Sequence, residues 1–145
     1  GVIYVGANSD IQQKEKYDRV EDAVCAVRSA IEEGILPGGG IALLRCAEDL
    51  GDGHASDVLY GALIAPIEQI LKNAGEDVAE IRDKVCLCAD VPKNYGYDVK
   101  NKVYGDMYKM GVIDPAKVTK NALKNAVSVA TTILSTNAIV TMKRK

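Results

Sequence analysis

The sequence contains no tryptophan and no phenylalanine, and seven tyrosines are its only aromatic residues. A core must therefore be built from valine, isoleucine, leucine and alanine, which suits helices packed on helices. No apolar run approaches the roughly 20 residues that a membrane helix needs. The first residues show neither a signal-peptide pattern nor an Arg-rich transit pattern. We therefore expect a soluble, cytoplasmic protein that does not contact a membrane.

A strong charge of either sign is also lacking, because the formal net charge is -2. The positive residues are scattered among acidic ones, except in the closing run Lys143–Lys145. Nucleic acid is therefore not expected as a partner. With 145 residues, of which 48% are hydrophobic, the chain is long enough to bury a core.

The four cysteines do not form a repeated metal-binding pattern. Cys86 and Cys88 are separated by one residue, whereas Cys25 and Cys46 stand singly within helical patterns. Structural zinc sites use cysteine pairs two to four residues apart, usually repeated. We therefore expect reduced, mostly buried thiols and no metal. A small metal-binding protein built on Cys86, Cys88 and His54 is one alternative.

Helical spacing of apolar residues predicts five helices. Gly34 and Gly75 are expected to end the first and third of them, and Pro66 to kink or break the third. Asp77 is expected to cap the fourth helix and Asp114 the fifth, with Pro115 in the first turn of the latter. The predicted helices cover residues 18–33, 41–50, 56–74, 78–86 and 115–134.

Short strands are predicted at both ends of the chain, over Val2–Val5 and Ala138–Met142, and each would need a partner strand. Residues 89–113 lose helical regularity and are rich in turn residues. They are expected to form a shaped loop or hairpin, with a short helix over Val103–Tyr108. The chain therefore reads as mainly helical, with a strand at each end.

Three features could bind or act on a ligand. Asp22 lies on a polar helix stripe with Ser29 and Glu33, and a carboxylate there could orient and deprotonate a water. Most such carboxylates are merely solvated or salt-bridged. The glycines 38–40 could admit a nucleotide to the backbone, yet they equally serve as a turn between two helices. In the loop 98–114, Asp114 could accept from a ribose hydroxyl or simply cap a helix.

Four segments of the sequence carry motifs in a recognisable order. Residues 18–23 read DRVEDA, residues 32–43 EEGILPGGGIAL, residues 94–97 NYGY, and residues 110–118 MGVIDPAKV. They resemble the RVEDA, EEG-x-x-x-GGG-x-AL, NYGY and MG-x-x-DP-x-KV motifs of group I (GroEL-type) chaperonins, at compatible separations. The resemblance extends over nearly the whole chain.

The resemblance implies a mainly α fold, the helical bundle of a chaperonin equatorial domain with short strands at both ends. Residues 1–34 would be the returning limb of an intermediate domain, and residues 35–145 the C-terminal half of the equatorial domain, with 34–40 as the hinge. It implies an ATPase that folds other polypeptides. The implied partners are identical subunits in a double heptameric ring, a co-chaperonin lid and unfolded polypeptides.

The resemblance also implies roles for individual residues. The aspartate that matches Asp22 swings over the nucleotide and positions the attacking water. The glycines that match Gly38 and Gly39 let the backbone approach the nucleotide. The aspartate that matches Asp114 contacts the ribose.

After NYGY, the family has an asparagine and two alanines that face the base and ribose. This chain departs from that pattern, with Asp98, Val99 and Lys100 at the three positions. Backbone contacts to the nucleotide would survive these changes, whereas a side-chain contact at Asp98 is placed in doubt.

The family's phosphate loop, its Asp-Gly-Thr-Thr-Thr segment that serves magnesium and phosphate, and its apical domain precede the point where this chain begins. ATP and Mg²⁺ are therefore implied for the full-length parent, and the isolated chain is expected to be inactive. A non-enzymatic helical interaction module, whose terminal strands dock onto neighbours, remains an alternative to the chaperonin interpretation.

Overall fold

A computed structural model describes residues 1–86, 92–138 and 140–142. Within them, five helices and four short strands make the chain mainly α, as predicted. None of the described helices is long and apolar enough to cross a membrane. The helices are α1 Asp10–Glu33, α2 Ile41–Glu48, α3 His54–Ala74, α4 Val78–Cys86 and α5 Ala116–Leu134. The strands are β1 Ile35–Pro37, β2 Tyr95–Asp98, β3 Val103–Asp106 and β4 Ile113–Pro115.

The chain divides into two compact units. Residues 35–114 form one, which we call the central unit. Residues 1–34 and 115–145 form the other, the terminal unit.

The core of the central unit is built by three helices and a hairpin. Residues Leu63, Ile67 and Leu71 of α3 are spaced by four and form one buried stripe, as helical periodicity requires. Helix α3 runs through Pro66, so the predicted alternative of a break there is wrong. The buried cluster consists of Ile41, Leu44, Ile67, Leu71, Ile81, Val85, Tyr97 and Met107.

The predicted hairpin is present, as an antiparallel pair of β2 and β3. Tyr97 pairs with Tyr104, and their ring centroids are 4.8 Å apart. The predicted helix over Val103–Tyr108 is wrong, because its first four residues form β3. Valine and tyrosine favour extended backbone and Gly105 weakens a helix, so pairing with β2 prevails.

The second sheet pairs β1 with β4, and β4 directly precedes α5 in the chain. Asp114 lies within β4, and the N-cap position of α5 is Pro115, which gives no side-chain cap. The predicted Asp114 cap is therefore wrong, because the pairing of β4 with β1 keeps residue 114 extended. The predicted Asp77 cap is confirmed, since Asp77 Oδ1 accepts from the Glu80 amide at 3.0 Å.

In the terminal unit, α1 starts eight residues before the predicted position. Ser9 is its N-cap, and the Ser9 hydroxyl accepts from the Gln12 amide at 3.4 Å. Ion pairs join α1 to α5, between Glu32 and Lys117 and between Glu33 and Lys120. Among the described residues neither helix has a buried one, so the predicted apolar stripes are at most half-buried.

The two predicted terminal strands are wrong where the structure describes them. Residues 2–5 pair with no strand among the described residues, and Tyr4 is 94% exposed. Residues 138 and 140–142 likewise form no described strand, and Ile139 lies outside the described residues. A short apolar run becomes a strand only where a neighbouring strand completes its hydrogen bonds.

Candidate functional site

A turn of three glycines connects β1 to α2 in the central unit. Gly39 and Gly40 have φ values of 66° and 82°, a left-handed backbone that favours glycine. The Gly38 amide donates to the Val112 carbonyl at 2.9 Å, and a Cβ on Gly38 would lie 3.1 Å from the backbone of Val112 and Ile113. The close approach that the glycines allow is therefore, at Gly38, an approach of the chain's own β4 segment.

Asp114 lies on the strand that pairs with β1, and so close to the glycine turn. Asp114 is exposed. Its carboxylate has no hydrogen-bond or ion-pair partner among the described residues. Neighbouring protein atoms partly desolvate the carboxyl and raise its pKa above the usual value. An unpartnered carboxylate can accept hydrogen bonds from both hydroxyls of a sugar.

Asp98 is buried at the end of β2, and its carboxylate is used within its own turn. It accepts from the Asn101 side-chain amide at 2.6 Å and from the amides of Lys100 and Asn101 at 2.9 and 3.3 Å. These hydrogen bonds, the Asn101 side chain first, lower the pKa of Asp98. A ligand would therefore meet the backbone of Asp98, Val99 and Lys100 rather than the Asp98 carboxylate.

The fully buried Met107 lies between the glycine turn and the hairpin. A Cβ on Gly39 would be 3.3 Å from Met107 Cε, and a Cβ on Gly96 would be 2.9 Å from Met107 Sδ. Met107 therefore packs against both the glycine turn and the hairpin in the core of the central unit.

Asp22 lies in the terminal unit, on the exposed surface of α1. Among the described residues its carboxylate forms no hydrogen bond and no ion pair. Glu33, from the same predicted stripe, pairs instead with Lys120. Asp22 therefore keeps its acceptors available for a water.

The described residues contain no group of three or more potential metal ligands. Cys88, a member of the alternative metal site, lies outside the described residues. Burial and then a hydrogen bond to Glu48 raise the pKa of Cys86 to about 11, which disfavours the thiolate that metals bind. Cys25 and Cys46 are exposed, so the expectation of buried thiols is wrong for those two.

Sequence reasoning gave no role to Arg45, although its side chain is only 12% exposed. Its guanidinium contacts the backbone of both α4 and the segment that enters β2. An arginine within the apolar run IALLRCA of α2 is the signal that could have drawn attention to it.

Two comparisons relate the chain to known proteins. A model of the TCP-1/cpn60 chaperonin family matches residues 2–144. The fold is similar to the crystal structure of a group III chaperonin in the open state, with a TM-score of 0.78 and 28% sequence identity. The match covers 94% of this chain but 30% of that chaperonin, so the chain spans less than a third of its length.

Proposed function

The chain belongs to the TCP-1/cpn60 chaperonin family, and we propose that it is part of an ATP-dependent protein-folding subunit, of which it forms the ribose and base side of the nucleotide site. The observation that carries this proposal is the Asp114 carboxylate on β4, which has no partner among the described residues and lies next to the glycine turn that starts at Gly38. The four motifs support the group I type within the family.

The organisation of the whole subunit is also part of the proposal. Residues 1–34 would be a limb of the intermediate domain and residues 35–145 the C-terminal half of the equatorial domain. The subunit would be cytoplasmic and would assemble with identical copies into a double heptameric ring. It would act on unfolded polypeptides beneath a co-chaperonin lid.

The described residues of the central unit fit a nucleoside. Asp114 would accept hydrogen bonds from the ribose hydroxyls, since no donor among the described residues competes for its carboxylate. The left-handed turn at Gly39 presents backbone without a side chain. The backbone from Asp98 to Lys100 would face the base, and the hydrogen bonds of the Asp98 carboxylate hold that turn in shape.

Bound ATP with Mg²⁺ supplies the phosphoryl group and the cation that offsets the charge developing during transfer. Asp22 would hold and orient the attacking water, because its exposed carboxylate has no partner among the described residues. The 145 residues contain no Asp-Gly-Thr-Thr-Thr segment. We therefore expect no ATP hydrolysis from these residues alone.

The test compares aspartate variants in the full-length subunit. Asp22→Asn should lower kcat at least about 100-fold with little change in nucleotide affinity, since the lost group acts on the water. Asp114→Asn should weaken ADP binding about tenfold, the effect of losing a hydrogen bond to a charged group. Asp52→Asn is the control, because Asp52 is an exposed loop residue of the central unit. Normal turnover in Asp22→Asn would contradict the proposal.

Exposed apolar side chains favour a second candidate function, a non-enzymatic helical interaction module. In the terminal unit Ile31 of α1 is 80% exposed and Leu134 of α5 is 85% exposed. Single exposed apolar residues are common, but both helices carry several. Calorimetry with ATP separates the candidates, since the module predicts no heat of nucleotide binding.

A further inference from the structure

Arg45 connects three separate segments of the central unit. Its Nη2 donates to the carbonyl of Val85 at 3.2 Å and to that of Tyr95 at 3.3 Å. Its Nε donates to the carbonyl of Lys93 at 3.3 Å. Val85 lies in the last turn of α4, whose carbonyls have no partner within the helix. Lys93 and Tyr95 lie at the entry to β2.

The charge of Arg45 is neutralised within its own helix. Its Nη1 contacts both carboxylate oxygens of Glu48, at 3.0 and 2.9 Å. A mostly buried charge is costly unless it is paired in this way. The pair leaves Nε and Nη2 for the three carbonyls, and only the planar guanidinium has enough fixed donors to reach all of these acceptors together.

The contact with Tyr95 falls at the open end of the hairpin. The Tyr95 amide donates to Pro92 at 2.8 Å, and the Met107 amide donates to Asn94 at 2.9 Å. The opposite end is held by the Asp98 carboxylate within its turn. The Asp98 carboxylate therefore holds the turn end of the hairpin, whereas Arg45 contacts the open end in addition to its backbone hydrogen bonds.

We propose that Arg45 is a positioning residue that anchors the hairpin Tyr95–Asp106 to α2. By holding the hairpin, it fixes the position of the backbone of residues 98–100 beside the nucleobase. In this role Arg45 acts through the hairpin backbone rather than by contact with the nucleotide. The positioning of residues 98–100 beside the nucleobase rests on the proposed function, whereas the anchoring of the hairpin is independent of any ligand.

Amide hydrogen exchange in the full-length protein tests the anchoring. In Arg45→Lys, which keeps the charge opposite Glu48 but lacks the fork, peptides covering residues 93–107 should exchange about tenfold faster. Peptides from α3 should be unchanged. Arg82→Lys is the matched control, since Arg82 pairs through Nη1 with Glu68 at 3.0 Å. Unchanged exchange at 93–107, or equal acceleration throughout the central unit, would overturn the anchoring role.

ADP affinity and turnover test the link to the nucleotide. Arg45→Lys should weaken ADP binding about tenfold and leave kcat at saturating ATP unchanged, a split that general destabilisation does not produce. If only Asp114→Asn weakens binding, the hairpin does not position the base and the inference falls while the proposed function stands. If neither variant weakens binding, the nucleotide assignment falls and takes the inference with it.

Discussion

Gly40 lies directly against Ile67, so that a Cβ added to Gly40 would come within 2.9 Å of Ile67 Cβ and 3.0 Å of the Ile67 backbone. Gly40 also has a φ of 82°. The start of α2 therefore rests on the backbone of α3 itself, at the residue that follows Pro66. Both the contact and the left-handed backbone require glycine at this position.

Gly40→Ala should lower the free energy of unfolding by about 3 kcal/mol, the sum of a left-handed alanine and an overpacked contact. Urea denaturation followed by circular dichroism measures the change. Gly61→Ala is the control of opposite sign. Gly61 lies within α3 with open space around it, so alanine should stabilise the protein by about 0.5–1 kcal/mol there. A Gly40→Ala variant as stable as the parent chain would contradict the contact.

The triple glycine shows how far sequence reasoning reaches in this chain. Three glycines before a helix predict either a turn or a backbone open to a nucleotide; the turn is present between β1 and α2, and the approach of a nucleotide stays a prediction. The groups that approach the glycines are Ile67 for Gly40 and Val112 for Gly38, far along the chain. Local patterns do not report which distant residues meet, because tertiary packing decides that.

The accuracy of the predicted elements differed with the strength of the local sequence pattern. Continuous apolar periodicity located α3 to within two residues. Residues 10–17 of α1 are mostly polar, so the apolar periodicity starts well after the first turn of the helix, which Ser9 caps. Val103–Asp106 became strand because β2 completes its ladder, which no local window could show.

The residues of the candidate site also differ in whether the sequence could reveal them. Asp22, Gly38 and Asp114 were found through motifs, and their proposed roles stay predictions. The contacts of Arg45 could not be found, because its carbonyl partners Val85 and Tyr95 are 40 and 50 residues away. The role of a mostly buried arginine can be interpreted only when its hydrogen-bond acceptors are known.

Asp98 should stabilise the fold at neutral pH and lose that effect in acid. Hydrogen bonding lowers its folded-state pKa below the usual 3.8, so the ionised form stabilises the fold above that value. The stabilisation is lost as the pH falls through the lowered pKa. Asp98→Asn should therefore be less stable than the parent chain at pH 7, by a difference that shrinks in acid.

Urea denaturation of both proteins from pH 7 down to pH 2.5 measures this difference. Asp52→Asn, at an exposed loop position, should follow the parent chain at every pH. A difference between Asp98→Asn and the parent that stayed constant with pH would show that the carboxylate charge contributes nothing.

Among the described cysteines, Cys86 should react most slowly with iodoacetamide. With its pKa raised to about 11, only about one thiol in a thousand is ionised at pH 8. Cys25 and Cys46 are exposed, and we expect iodoacetamide to modify both at least about tenfold faster. Peptide mapping after timed labelling gives each rate. In concentrated guanidinium chloride the three rates should converge, and equal rates in the native protein would contradict the burial of Cys86.

Removal of the negative charge of Asp114 should stabilise the protein. Partial desolvation raises its folded-state pKa, so the ionised carboxylate costs stability above its usual pKa, and this cost vanishes once the group is protonated. Asp114→Asn should therefore be slightly more stable than the parent chain at pH 7 and should lose that advantage below about pH 4. Urea denaturation at the two pH values measures the change. Retention of this carboxylate at a cost to the fold fits a group held for a ligand, and a less stable Asp114→Asn protein at pH 7 would show that the carboxylate serves the fold instead.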